Sequence, residues 1–164
     1  MPTRPTSIRA ELKQSRPFPT PAQEAAVGLL RTADVLRRAL TEAVAPSGIT
    51  HQQYNVLRIL RGSDPEPLPT LEIAERMIEE APGITRLLDR LEAKGLVRRE
   101  RCRDDRRQVL CWISPAGLAL LSGLDPVVEE ATATGGRALG RRELRGLIAL
   151  LDRLRTAYRP AGNG

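Results

Sequence analysis

Apolar positions recur at helical spacing along most of the chain. Ala26, Leu29, Leu30, Ala33, Leu36, Leu40 and Val44 fall at steps of three and four, with Arg31, Asp34, Arg37 and Arg38 mostly between them. This predicts one long amphipathic helix. Thr20-Pro21-Ala22-Gln23 supplies its start, with a capping threonine, a proline suited to the first turn and a glutamine to close a capping box. Pro46-Ser47-Gly48 ends it. Thr50-His51-Gln52-Gln53 is a second capping box, opening a helix through Tyr54, Val56, Leu57, Ile59 and Leu60 that Gly62 stops.

The segment from Asp64 to Pro69 reads as a loop by composition. Thr70 is then expected to cap a short helix reaching about Met77. After a break at Glu79-Glu80-Ala81-Pro82-Gly83, Pro82 fits the first turn of another helix through Ile84, Leu87, Leu88 and Leu91. Lys94-Gly95 is its stop signal. Leu96 to Cys102 and Val109 to Ile113 read as two strands of a hairpin with a charged tip, Arg103-Asp104-Asp105-Arg106-Arg107. Ser114-Pro115 opens a further helix to the mid-130s, with Pro126 placed to kink it and Gly135-Gly136 to break it. Leu144, Leu147, Leu151, Leu154 and Tyr158 alternate steps of three and four in a last helix, a coiled-coil-like seam.

The first 21 residues interrupt this pattern. Pro2, Pro5, Pro17, Pro19 and Pro21 lie among scattered cations, which predicts an extended arm with a short helix near Ile8 to Lys13. Organisation then reads as an arm over residues 1–21, one domain over 22–158 and a tail over 159–164. Within the domain, residues 22–45 and 114–158 flank a central unit over 50–113.

Composition narrows the function classes. The chain has 164 residues, a single-domain length, and a net charge of +6. Lys13 and Lys94 are its only lysines, so the basic side is nearly all arginine. Phe18, Tyr54, Trp112 and Tyr158 are too few aromatics for a base-stacking platform. One histidine and two cysteines cannot build a zinc finger, so no metal or cofactor is expected. No spacing suggests a nucleophile elbow or a phosphate-cradling glycine loop, which argues against an enzyme. With no membrane-length apolar run and no secretory signal pattern, a cytoplasmic protein is the expectation.

The charge is unevenly placed. From Arg86 to Arg107 there are nine cations against five anions, a net +4. From Asp64 to Glu80 there are six anions against one cation, a net −5. The positive charge therefore collects on the second helix of a helix-break-helix pattern and on the hairpin behind it, as a helix-turn-helix that meets DNA requires. Pro82 and Gly83 open that helix with its positive end towards an anion. Thr85 and Arg86 suit base edges, and Asp89 is a natural partner for directing Arg90 at phosphate. Arginine also suits a narrow minor groove. Glu79 and Glu80 favour the helix dipole but oppose a nearby phosphate.

The run from Ile84 to Val97, ITRLLDRLEAKGLV, resembles the recognition-helix signature of MarR-type winged-helix regulators. Asp105-Arg106-Arg107, Val109 to Ser114 and Gly117 resemble the wing and the helix after it. The resemblance implies a mainly α fold with a small β-hairpin wing, a winged helix-turn-helix lobe, and N- and C-terminal dimerisation helices. It implies a homodimer on pseudo-palindromic double-stranded DNA, with recognition helices in successive major grooves. In that pattern Asp105 orients the wing and Arg107, then Arg106, faces the minor groove, with Arg103 a further DNA-binding candidate. The apolar faces of the first and last long helices agree, because the small central unit cannot bury them alone.

The resemblance also implies a regulator, most often a repressor, released by a small aromatic or phenolic effector. Arg31, His51 and Tyr54 are candidates to line its pocket, although a helix-start histidine and a core tyrosine account for two of them more simply. Cys102 and Cys111 lie on the two arms of the hairpin. If they face each other a thiol switch is open, but packed, reduced thiols are the expectation. The competing class is a winged-helix protein-interaction module that binds no DNA.

Overall fold

The structure, a computed structural model, describes residues 6–158. The expected tail over 159–164 and the first residues of the arm lie outside this range. Within the arm, α1 (Ile8–Glu11) is a short helix capped by the Ser7 hydroxyl, which accepts from the Ala10 N–H at 3.3 Å. It is tied to the next helix by an Arg31 Nε–Glu11 Oε1 contact of 2.7 Å, so this part of the arm is not extended.

Helix α2 (Pro21–Val44) starts where the capping residues put it, with the Thr20 hydroxyl accepting from the Gln23 N–H. A single 3-10 turn and Gly48, whose φ of 73° suits glycine, lead into α3 (His51–Arg61). The full capping box forms there. The Thr50 hydroxyl accepts from the Gln53 N–H, and the Gln53 side chain accepts from the Thr50 N–H.

The expected loop after α3 contains a strand. β1 (Leu68–Pro69) pairs antiparallel with β3 (Val109–Ile113), which pairs in turn with β2 (Val97–Arg101), in the order β1-β3-β2. Two residues carry too little alternation to announce a strand. Only the edge of β3, offered by the folded hairpin, recruits them.

Thr70 also differs from expectation. It is the first residue of α4 (Thr70–Arg76), whose N-cap Pro69 makes no side-chain cap. The Thr70 hydroxyl donates to the Val109 carbonyl instead, at 3.3 Å, so it fastens α4 to the sheet. Pro82 likewise lies outside α5 (Ile84–Ala93), two residues before its start, with Gly83 as an N-cap that has no side-chain bond. The stop at Lys94 and Gly95 forms as expected, Gly95 taking φ 69°.

Strand alternation puts Val97, Cys111 and Ile113 on the core face of the sheet and Arg98 and Trp112 opposite each other on the other face. Buried Leu57 and Leu60 of α3, Ile73 of α4 and Leu88 and Leu91 of α5 complete the centre of the lobe. Helix α6 (Pro115–Gly136) adds Leu121 and Leu124 and runs on through Pro126. Its first turn sits hard against the sheet. The Ser114 hydroxyl donates to the Gly95 carbonyl at 2.6 Å and accepts from the Gly117 N–H at 3.0 Å. A side chain at Gly117 would overlap the Leu96 carbonyl oxygen. Arg61 holds α3 to α6 through both Asp125 oxygens, at 2.8 and 3.0 Å.

Helix α7 (Arg141–Tyr158) buries none of its residues, and Leu147, Leu154 and Tyr158 of its seam are exposed. Leu29, Leu30, Val35 and Leu36 of α2 are exposed as well.

Candidate nucleic-acid interface

Helix α5 buries Leu88 and Leu91 and turns Thr85, Arg86, Asp89 and Arg90 outward. This follows from its sequence, because apolar and polar residues separate cleanly onto two faces. No side chain caps its N-terminus. Among the described residues, the Thr85 and Arg86 backbone N–H groups find no protein acceptor. They are the unsatisfied donors that make a helix start attractive to anions.

The second element is the hairpin tip. Asp105 Oδ1 accepts from the Arg107 N–H at 3.0 Å, and Oδ2 accepts from Gln108 Nε2 at 3.2 Å. The Gln108 N–H donates to the Asp105 carbonyl at 2.9 Å. The carboxylate is thus spent on shaping the turn, and Arg103, Arg106 and Arg107 stand exposed around it.

Not all of the positive charge is available to a ligand. Arg99 of β2 donates through Nη2 to Asp89 Oδ1 and to Glu92 Oε2, each at 2.6 Å, and through Nε to Glu92 Oε2 at 2.9 Å. The hydrogen bond to Glu92 is the main reason its guanidinium is held above the usual arginine range. Asp89 therefore serves Arg99 and not Arg90, which corrects the expected Asp89–Arg90 pair. Arg98 pairs with Glu100 and lies over the Trp112 ring, 4.2 Å from its centre. Lys94 donates to the Gly48 carbonyl. Among the described residues, Arg86, Arg90, Arg101, Arg103, Arg106 and Arg107 form no ion pair.

Glu79 pairs with Arg37 of α2, at 3.6 Å. A side chain the sequence did not single out, Gln52 of α3, lines a groove with Pro82, Gly83, Arg86 and Arg90. Its only sequence role was inside a capping box, and nothing local pointed to that neighbourhood.

The effector candidates do not form one cluster. Tyr54 is buried and stacks on His51 with ring centres 6.4 Å apart, while Arg58 lies 5.9 Å from the tyrosine ring. Burial lowers the His51 pKa and raises that of Tyr54. The α2 arginine that acts on His51 is Arg37, together with Glu79. Arg31 is engaged with Glu11 and Asp34. The hairpin cysteines are not opposite each other either. Cys111 pairs with Arg99 in register, and Cys102 meets Gln108. Cys111 is fully buried beside Thr70, and burial pushes its thiol pKa up, so it is held protonated.

Helices α4 and α5 with the β2–β3 hairpin define a winged helix-turn-helix. The sequence matches the model of the MarR family over residues 49–109. A MarR transcription factor from Planctomyces limnophilus is 40% identical, with 83% of this chain and 98% of that one covered and a TM-score of 0.65. This chain belongs to the MarR family. The HTH-type transcriptional regulator TtmR of Methylorubrum extorquens (strain PA1) is 36% identical over 117 residues, or 71% of this chain. The match spans 56% of that relative, so the chain covers about half of its length. AbsC, a MarR family regulator from Streptomyces coelicolor, shares the fold at 22% identity and a TM-score of 0.77, over 87% of this chain and 97% of its own. MepR from S. aureus, solved in complex with DNA, does so at 22% identity and a TM-score of 0.72, over 79% and 95%.

Proposed function

We propose that the protein is a dimeric transcriptional regulator that binds double-stranded DNA through α5 and the wing. The observation that carries this reading is the sorting of the basic residues. Arg99 and Arg98 are paired with carboxylates and Lys94 is tied to the Gly48 carbonyl, while Arg86 and Arg90 on α5 and Arg103, Arg106 and Arg107 at the wing tip are exposed and form no ion pair among the described residues. Arg86 and Thr85 are assigned to base edges in the major groove, with Pro82 and Gly83 letting the backbone approach phosphate. Arg107 is assigned to the minor groove, on a turn shaped by Asp105.

The division into dimerisation segments (residues 22–45 and 114–158) and a winged helix (50–113) belongs to the same proposal. A second copy is the partner that the exposed α7 seam requires. A groove of about 670 Å3 between α2 and α7, lined by Ala22, Leu29, Leu30, Leu151, Leu154 and Tyr158, offers an apolar bed for a helix of that copy. Two-fold symmetry then asks for half-sites about 10 bp apart. A small effector would act by favouring a dimer in which the two α5 helices no longer match that spacing, which releases a repressor.

Fluorescence anisotropy on duplexes tiled across the DNA upstream of the protein's own coding sequence tests the reading. Binding should be tight at low salt and fall steeply as salt rises. If no such duplex binds at low salt, the reading fails.

A further inference from the structure

The groove between the starts of α3 and α5 has a volume of about 240 Å3. Arg86 and Arg90, one helical turn apart, form one side of it, and Gln52 lines it from α3. The two carboxylates of α5, Asp89 and Glu92, are both taken by Arg99, and Glu79 is turned to Arg37. Two cations therefore line one groove with no counter-ion from the described residues. The Gln52 amide is exposed and has no hydrogen-bond partner among them, whereas the amide of its neighbour Gln53 is committed to the capping box. Two like charges facing one cleft repel. An anionic oxygen held at Arg90 offsets that repulsion, leaves Arg86 free for a base edge and gives the idle amide an acceptor.

We infer that Gln52 is a further DNA-contacting residue, whose side-chain amide donates to a backbone phosphate of the duplex gripped by Arg86 and Arg90. The contact lies on α3, outside both the helix-turn-helix and the wing. Its function is to fix register and orientation, since a phosphate contact carries no sequence information of its own. The inference rests on the DNA-binding reading and is tested separately from it.

The experiment measures anisotropy of the full chain on two duplexes, one that the wild type binds tightly from its own upstream region and one of random sequence. Three variants are compared. Gln52→Ala should weaken binding about three- to tenfold, to a similar degree on both duplexes, with the salt slope unchanged because no charge is lost. Gln52→Glu should weaken it more than tenfold. Gln52→Lys should tighten binding and steepen the salt slope by about 0.9, the contribution of one added phosphate contact. Position 52 is exposed, so matching thermal midpoints should accompany all three. Glu and Lys variants that both bind within twofold of wild type overturn the inference and leave the DNA-binding reading standing. A loss confined to the upstream duplex also overturns it, because it would mean base readout. Failure of the wild type to bind either duplex removes the DNA-binding reading and this inference with it.

Discussion

Arg99 of the wing strand donates to Asp89 on the outer face of α5 at 2.6 Å. The same guanidinium nitrogen reaches Glu92, so one arginine braces the wing against α5. Its side chain is only 18% exposed, which limits screening by solvent and salt. The spacing between α5 and the wing is therefore set by contacts inside the protein.

Arg99→Met should loosen this brace. The expected cost is about 1–2 kcal/mol in denaturant unfolding, the range for hydrogen bonds to charged groups with partly exposed partners. DNA affinity should fall as well, with the salt slope unchanged because Arg99 is already neutralised. A slope that drops by about one unit would mean that Arg99 itself meets phosphate.

Arg107→Ala and Arg98→Ala make a paired test of which arginines are available. Arg107 is exposed beyond the Asp105 turn, and its loss should flatten the salt slope by about 0.9. Arg98 is committed to Glu100 and Trp112, and its loss should leave the slope alone. Asp105→Ala should weaken binding while keeping every cation, because the tip loses the acceptor that shapes it.

Gly117→Ala should destabilise the fold by about 1–3 kcal/mol, the usual penalty for overpacking. The added methyl would overlap the Leu96 carbonyl oxygen and stand 2.8 Å from Ile113 Cγ1, so both have to give way. Gly123→Ala in the same helix meets nothing within 4 Å and should be neutral or stabilising. Thermal unfolding of the two variants separates the effects.

His51 is the chain's single histidine, and burial holds its pKa below the ordinary value, against the attraction of Glu79. The folded state thus prefers the neutral ring. Its contribution to stability is fully present above about pH 6.5, the unfolded value. It is lost as pH falls through the lower folded value, where the unfolded chain has already bound the proton. His51→Gln should remove this part of the acid dependence. Thermal midpoints of both proteins between pH 5 and 8 check it, and an unaltered profile would reject the assignment.

Leu151→Arg should break the proposed dimer while leaving the winged lobe folded, because no residue of α7 is buried within the chain. Light scattering should report a monomer with native circular dichroism. If the variant remains a dimer, the α2–α7 groove is not the interface.

The order of helices, the caps at Thr20, Thr50 and Ser114 and the hairpin were legible because each rests on neighbours in sequence, whereas the expected cap at Thr70 and helix start at Pro82 did not form. The box at Thr50 and Gln53, the left-handed glycine after Lys94 and the two-faced pattern of α5 are all local. The exposed arginines of α5 and the wing tip could be nominated for the same reason, since outward residues on a short helix and turn follow from periodicity alone.

Long-range pairing was not legible. A carboxylate near two arginines has no local reason to choose one, and only the packing of β2 against α5 brings Arg99 to Asp89 in place of Arg90. The β2–β3 register separates Cys102 from Cys111, and the free edge of β3 draws Leu68 and Pro69 into a third strand. Folding also sets Gln52 in one groove with Arg86 and makes Arg37, not Arg31, the α2 arginine whose charge acts on His51. By itself the sequence determined the elements, their faces and the concentration of positive charge, because backbone preference and burial act over a few residues. The tertiary structure decided which charges are spent inside the protein and which remain for a partner, because that depends on side chains meeting across elements far apart in the chain.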